Sequence, residues 1–243
     1  MKISLYADAD TSSAKAEEIA EAAGFSRILT TPVDELFLHL TKEGLRLERD
    51  GLFVMGDFDA MKRRLKRGNL SGEMLVKAMR LKDISEPYVI DATAGMGEDS
   101  LLLAAAGFRI DLYEYDPVIA ALLSDALSRA QTDPALSEAV GRMKLFQKDS
   151  MSAMQDMTEK PDAIYLDPMF PGRKKSGLVG KKFQLLQQLE KPCDHEEELL
   201  TAALRLKPKK VVVKRPLKGP FLAGRKPSYS LTGKAIRYDV IMP

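Results

Sequence analysis

From Pro87 to the C-terminus, short apolar runs suited to strands alternate with stretches suited to helices. That alternation restricts the region to a mostly parallel sheet with helices on both faces, because parallel neighbours need a crossover and the crossover is usually a helix. The expected strands are 88–90, 109–113, 144–146, 163–166, 211–213 and 235–241, with helices near 99–106, 117–129 and 194–206. The first part of the chain lacks this rhythm. We expect two units: a small α+β unit over 1–85 and a larger α/β unit over 86–243.

Within the small unit, the sequence predicts a strand over 3–6, a helix over 13–23 closed by Gly24, and a break at Thr30-Thr31-Pro32. Residues 37–40 and 45–47 flank Lys42-Glu43-Gly44 as a hairpin, and 52–55 adds a third strand after Asp50-Gly51. The stretch from Lys62 and then 73–81 are expected to be helical, interrupted at Gly68-Asn69. That break and Gly72 form a candidate phosphate-contacting loop, because bare glycine backbone lets N–H groups approach an anion.

Charge is unevenly placed. The net formal charge is only +2, yet Lys62 to Lys82 holds eight basic residues against Glu73 alone. Arg173 to Lys182 holds five with no acid, and Arg205 to Lys226 holds nine with no acid. Gathered on one face, they would suit a polyphosphate partner; taken singly, each is an ordinary solvated surface. Cys193 is the single cysteine, which excludes an internal disulfide and a thiol cluster for a metal. His39, in an alternating run, and His195, at a helix start, read as structural residues, so no metal is expected. No run reaches the ~18 apolar residues of a membrane span, and MKISLYADAD carries no leader pattern, so the expected location is the cytoplasm without membrane contact. Oligomeric state has no sequence signal.

The segment Val89-Ile90-Asp91-Ala92-Thr93-Ala94-Gly95-Met96-Gly97-Glu98-Asp99 is an apolar strand leading through a glycine turn into a helix. Gly95 and Gly97 allow a tight turn at the carboxyl end of a strand, where open α/β sheets bind ligands. Glu114 closes the next strand, placed to accept both hydrogens of a ribose diol. A nicotinamide dinucleotide is the competing ligand, but Ser100 stands where its fingerprint wants glycine or alanine, and Asp91 would repel a pyrophosphate. Asp91 instead suits the cationic end of S-adenosylmethionine, or else simply orients the turn. Asp149-Ser150, after the third strand, suits an adenine amino group and equally a helix N-cap.

The fourth strand ends in Asp167-Pro168-Met169-Phe170-Pro171. An exocyclic base amine is a poor nucleophile, because its lone pair is delocalised into the ring. The Asp167 carboxylate and the Pro168 carbonyl can each accept one amine hydrogen, localising that lone pair and aiming it at a methyl donor. Phe170 offers a stacking face, or serves as core in a proline-rich turn. Arg173, Lys174 and Lys175 form a basic loop for RNA phosphates. Lys214 and Arg215, after the fifth strand, are assigned to substrate contact, with a buried salt bridge as the competing role.

Taken together, DATAGMGEDS, YEYDP, YLDPMFP, VVVKRP and the closing RYDVI resemble the ribosomal small subunit methyltransferase J family, with LTKEGLRL a fainter match. The resemblance implies a Rossmann-like class I methyltransferase fold with a seven-stranded sheet. It also implies transfer of a methyl group from S-adenosylmethionine to the N2 amine of a guanosine in 16S ribosomal RNA, with that RNA or the small ribosomal subunit as partner. By position it assigns cofactor contact to Glu98-Asp99, Glu114-Tyr115, Asp149-Ser150 and Asp167. The family tends to carry arginine at Glu98, a basic residue at Tyr115, serine at Asp149 and more glycine across 67–72, departures that bear on the target nucleotide. Methylation of another RNA or of DNA, and a non-catalytic RNA-binding assembly factor, are the alternatives at this point.

Overall fold

The computed structural model describes residues 3–168, 185–186, 188–189 and 193–243. The N-terminal part forms a sheet from β1 (Ser4–Ala7), β2 (Ser26–Ile28), β3 (Phe37–Thr41), β4 (Gly44–Arg49) and β5 (Leu52–Met55), in the order β2-β1-β3-β4-β5. Helix α1 (Ser13–Ala23) starts where the Ser12 side chain accepts the Lys15 N–H and stops at Gly24, whose φ of 69° no residue with a Cβ adopts cheaply. Asp50 and Gly51, with φ of 52° and 73°, make the two-residue turn between β4 and β5. His39 is buried in β3, with Nε2 2.8 Å from Asp8 and Nδ1 2.9 Å from Glu48, which is a structural role.

A basic helical stretch follows: α2 (Lys62–Leu65), α3 (Arg67–Leu70) and α4 (Met74–Met79). The Gly68-Asn69 pair, expected to interrupt it, lies inside α3; the break falls one residue earlier, where Lys66 turns extended with ψ 133°. Leu70 explains the shift, since a single helical turn is enough to bury it. Phe58, Met61, Leu70, Leu75, Val76 and Met79 share one core with the larger sheet. Lys210, buried at the start of β10 (Lys210–Pro216), donates to the carbonyls of Ala78 and Arg80 and so closes α4 from the sheet side.

The larger sheet adds β6 (Tyr88–Asp91), β7 (Arg109–Glu114), β8 (Met143–Gln147), β9 (Ala163–Leu166), β11 (Tyr229–Thr232) and β12 (Ile236–Ile241) to β10. Its order is β11-β12-β10-β9-β6-β7-β8, with β12 antiparallel to both β10 and β11 and the remaining pairs parallel. This is the expected mostly parallel seven-stranded sheet. Helices α5 (Glu98–Ala105), α6 (Pro117–Gln131) and α7 (Ser137–Val140) lie on one side, and α8 (Ser150–Asp156) and α9 (Glu196–Arg205) on the other, with a separate apolar core under each face. The chain leaves β6 toward β7 on one side and returns to β9 on the other, opening a crevice at the carboxyl ends of β6 and β9.

The small sheet is fastened to α6. Leu38, Leu40 and Leu45 pack on Val118, Ile119 and Leu122. Asp125, buried on the same helix, accepts from Lys15 Nζ at 2.7 Å, Arg129 Nε at 2.8 Å and the Leu45 N–H at 2.9 Å. These donors hold its carboxyl below the ordinary range although burial alone would push it up.

Candidate active site

The crevice is a cavity of about 380 Å³, within the range of small-molecule sites. Its floor is the glycine turn after β6. Gly95 has φ 53°, and a Cβ added there would meet nothing within 4 Å, so the turn presents bare backbone to open space. Gly97 has φ 77° and its Cβ would come within 2.6 Å of Leu123, so glycine is required there for packing of the turn on α6.

Asp91 takes the second of its two expected roles. Its Oδ1 accepts the Thr93 N–H at 3.0 Å and its Oδ2 accepts the Ser100 hydroxyl at 2.6 Å, which ties the turn to the first turn of α5. Burial pushes its carboxyl up to about 7, partly offset by these two donors. Glu114 is also buried, accepting from Gly95 N–H at 3.0 Å and Asp116 N–H at 2.9 Å. Burial pushes it up to about 7 as well, against those backbone donors. Each Glu114 oxygen keeps a second lone pair, and the residue lines the cavity.

Glu98 is exposed and Asp99 half-buried in the first turn of α5, and both line the cavity with Tyr115, which is 57% exposed at its opening. Asp149 is the N-cap of α8, accepting the Ser152 N–H at 2.8 Å, and it lines the cavity too, so its two expected roles coexist. Ser150 is buried in the first turn of α8, outside the cavity lining.

At the end of β9, the Asp167 N–H donates to Thr93 Oγ1 at 2.7 Å, which locks this strand end to the glycine turn. Lys214 reaches over from β10, its Nζ 2.8 Å from Asp167 and 2.6 Å from Asp99. Beneath them the buried Tyr165 hydroxyl donates to Asp99 at 2.7 Å. Burial alone would lower the Lys214 ammonium, but Asp167 and Asp99 outweigh it and raise it above ordinary lysine. Arg215 is corrected: its side chain is 0% exposed and bonds Glu196 on α9 at 2.7 Å, so it forms the buried salt bridge and offers no surface to a substrate. Successive residues of a strand face opposite sides of the sheet, a period-two signal that separates Lys214 from Arg215 and was readable in the sequence. Phe170, Arg173, Lys174 and Lys175 lie outside the described residues.

A family model of S-adenosylmethionine-dependent methyltransferases matches residues 20–243. Over 233 residues the chain is 42% identical to the ribosomal RNA small subunit methyltransferase J of Pseudomonas fluorescens, covering 93% of this chain and 88% of that one. The chain belongs to the ribosomal RNA small subunit methyltransferase J family. The methyltransferase J of Pseudomonas aeruginosa is 45% identical over 189 residues, 77% of this chain and 71% of its own. The crystal structure of an S-adenosylmethionine-dependent methyltransferase from Neisseria gonorrhoeae superposes with a TM-score of 0.81 at 31% identity, covering 99% of this chain and 96% of that one. As a methyltransferase J family member the chain takes S-adenosylmethionine, and the residues present fit it. Glu114 offers buried carboxylate lone pairs for a ribose diol, Gly95 leaves room for close approach, and Asp99 and Asp167 supply negative charge for a sulfonium and an ammonium.

Sequence reasoning missed several cavity-lining residues. Thr93, Tyr165 and Met151 carry no motif, and Cys193 comes in from the segment before α9. Burial pushes the Cys193 thiol up, and Glu196 adds to that, in keeping with an unreactive cysteine. Among the described residues no group of His, Cys, Asp and Glu could hold a metal ion, and no helix is long and apolar enough to cross a membrane.

Proposed function

We propose that this chain methylates the exocyclic N2 amine of a guanosine in 16S ribosomal RNA, with Asp167 and Pro168 as the amine's acceptors. The observation that carries this reading is the placement of Asp167. It stands at the carboxyl end of β9, tied through Thr93 to the glycine turn, in the same cavity as Glu114 and Gly95. S-adenosylmethionine supplies an electrophilic methyl group, so the protein's work is to position and activate the nitrogen. The Asp167 carboxylate accepts one amine hydrogen and the Pro168 carbonyl the other, which holds the nitrogen lone pair in line with the donor. Once nitrogen has gained its methyl group it becomes strongly acidic, and Asp167, already bonded to its hydrogen, takes the proton.

The proposed cofactor set is Gly95, Gly97, Glu98, Asp99, Glu114, Tyr115 and Asp149, with Asp91 holding the turn. Substrate RNA is proposed to run across Arg173, Lys174 and Lys175, with Phe170 stacking on the target base. Residues 1–85, with the basic helices α2 and α3, add phosphate contacts, and the natural partner is the small ribosomal subunit in the cytoplasm. The relatives named for small-subunit ribosomal RNA methylation support this substrate class.

The test is incubation with methyl-labelled S-adenosylmethionine and, separately, 16S RNA, assembled small subunits and duplex DNA, followed by mapping of the labelled nucleotide. Label on one guanosine N2 in 16S RNA or the subunit is expected. Label on DNA alone, or on a ring nitrogen, contradicts the proposal.

A further inference from the structure

We infer that Lys214 is a positioning residue for methyl transfer: its ammonium, clamped between Asp99 and Asp167, keeps Asp167 an ionised acceptor turned toward the cavity. This inference rests on the reading of Asp167 as the amine's acceptor. It replaces the expectation that Lys214 touches RNA, for the ammonium is engaged by two carboxylates at 2.6 and 2.8 Å and its side chain is only 25% exposed.

The need for a cation follows from what surrounds Asp167. Facing it are Asp99 from α5, Tyr165 from β9, Asp91 from β6 and Tyr238 from β12, all acids, and Lys214 from β10. Arg64 of α2 acts on Asp99 and Tyr238 at longer range, but its guanidinium is spent on Glu73, with two bonds of 2.8 Å. Two carboxylates that both touch one ammonium are close enough for their charges to oppose each other, and without the ammonium one of them takes up a proton near neutral pH. The Tyr165 hydroxyl already donates to Asp99 and stabilises its anion. The proton therefore settles on Asp167, the carboxylate that must remain an acceptor. A protonated Asp167 presents a hydroxyl donor to an amine that is itself a donor, and the lone pair is no longer aligned. Lys214 also restrains the Asp167 side chain from beside, while Thr93 restrains its backbone.

The experiment compares wild type, Lys214→Met, Lys214→Arg and Asp167→Asn by single-turnover methylation of the RNA substrate from pH 6 to 9. S-adenosylhomocysteine affinity, RNA affinity and Tm are measured on the same proteins. Lys214→Met is expected to lower the rate at pH 7 by about 10- to 100-fold and to move the acid limb of the profile upward by about one pH unit or more, so that activity recovers toward pH 9. Both affinities should stay within about twofold, and Lys214→Arg should restore most of the rate. Three results overturn the inference: an unchanged rate and profile, a loss confined to KM for RNA with an unmoved profile, or a loss tracking a fall in Tm and cofactor affinity. Asp167→Asn separates the two claims. If that variant keeps full rate, the acceptor reading itself fails; if it is impaired while Lys214→Met is not, only the inference about Lys214 fails.

Discussion

Two sets of buried carboxylates in this molecule are treated in opposite ways. At the junction between the small sheet and α6, Asp125 is surrounded by Lys15, Arg129 and a backbone N–H, and its carboxyl sits below the ordinary range. At the carboxyl edge of the large sheet, Asp91 and Glu114 are buried just as deeply but meet only neutral donors, and burial pushes both up to about 7. A carboxylate with its cations built in serves the fold. One left without them carries an unrelieved desolvation cost that a ligand's hydroxyl and cationic groups can offset, which is where perturbed groups are expected in a binding site.

The contrast can be broken or sharpened by mutation. The largest effect is expected at the edge: Asp167→Ala should lower methyl transfer by about two to three orders of magnitude, the loss usual for one preorganised partner, while leaving Tm nearly unchanged. A rate within a few-fold of wild type would remove Asp167 from the chemistry. At the junction, Asp125→Ala should instead cost about 2–3 kcal/mol in denaturant unfolding, since Arg129 and the Leu45 N–H lose a buried partner. An unaltered unfolding midpoint there would mean that the ion cluster is dispensable.

Asp91 sharpens the contrast through pH. Its folded carboxyl titrates near 7 against an ordinary value of 3.8, so the native state favours the protonated form. The resulting stability is fully present below about pH 4 and is lost as pH rises through 7. Asp91→Asn should flatten that part of the stability profile, by on the order of 1–3 kcal/mol between pH 4 and 8. A variant with the same pH slope as wild type would show that Asp91 is not the group responsible. The smallest effect is at Glu114: its anion is the better acceptor for a diol, so S-adenosylhomocysteine affinity should drop about tenfold from pH 8 to pH 6. Glu114→Gln should bind weakly without that trend, and a wild-type affinity independent of pH would contradict the assignment.

How much of this was legible in the sequence depends on how local each signal was. The strand–glycine–helix unit from β6 to α5 was readable because the apolar run, the two glycines and the helix start are contiguous. Gly24 and Asp50-Gly51 were readable for the same reason, their left-handed backbone being a property of single residues. Strands β2 and β11 were not. Each is three or four mostly exposed residues that exist as strands because a neighbour, β1 or β12, supplies hydrogen bonds. Helices α7 and α8 are similarly short and held by packing. In the site, the residues contributed by the carboxyl ends of β6, β7 and β9 were visible as motifs. The Asp99–Lys214–Asp167 cluster was not, since residues 115 positions apart meet only through the order of strands in the sheet.

The central claim is that one cavity separates two duties, with Glu114 holding the cofactor and Asp167 acting on the base. Calorimetric titration of S-adenosylhomocysteine into Glu114→Gln and Asp167→Ala side by side tests it most directly. Affinity lost by at least about tenfold in the first and retained within about twofold in the second is the predicted result. The reverse pattern, or equal loss in both, would contradict it.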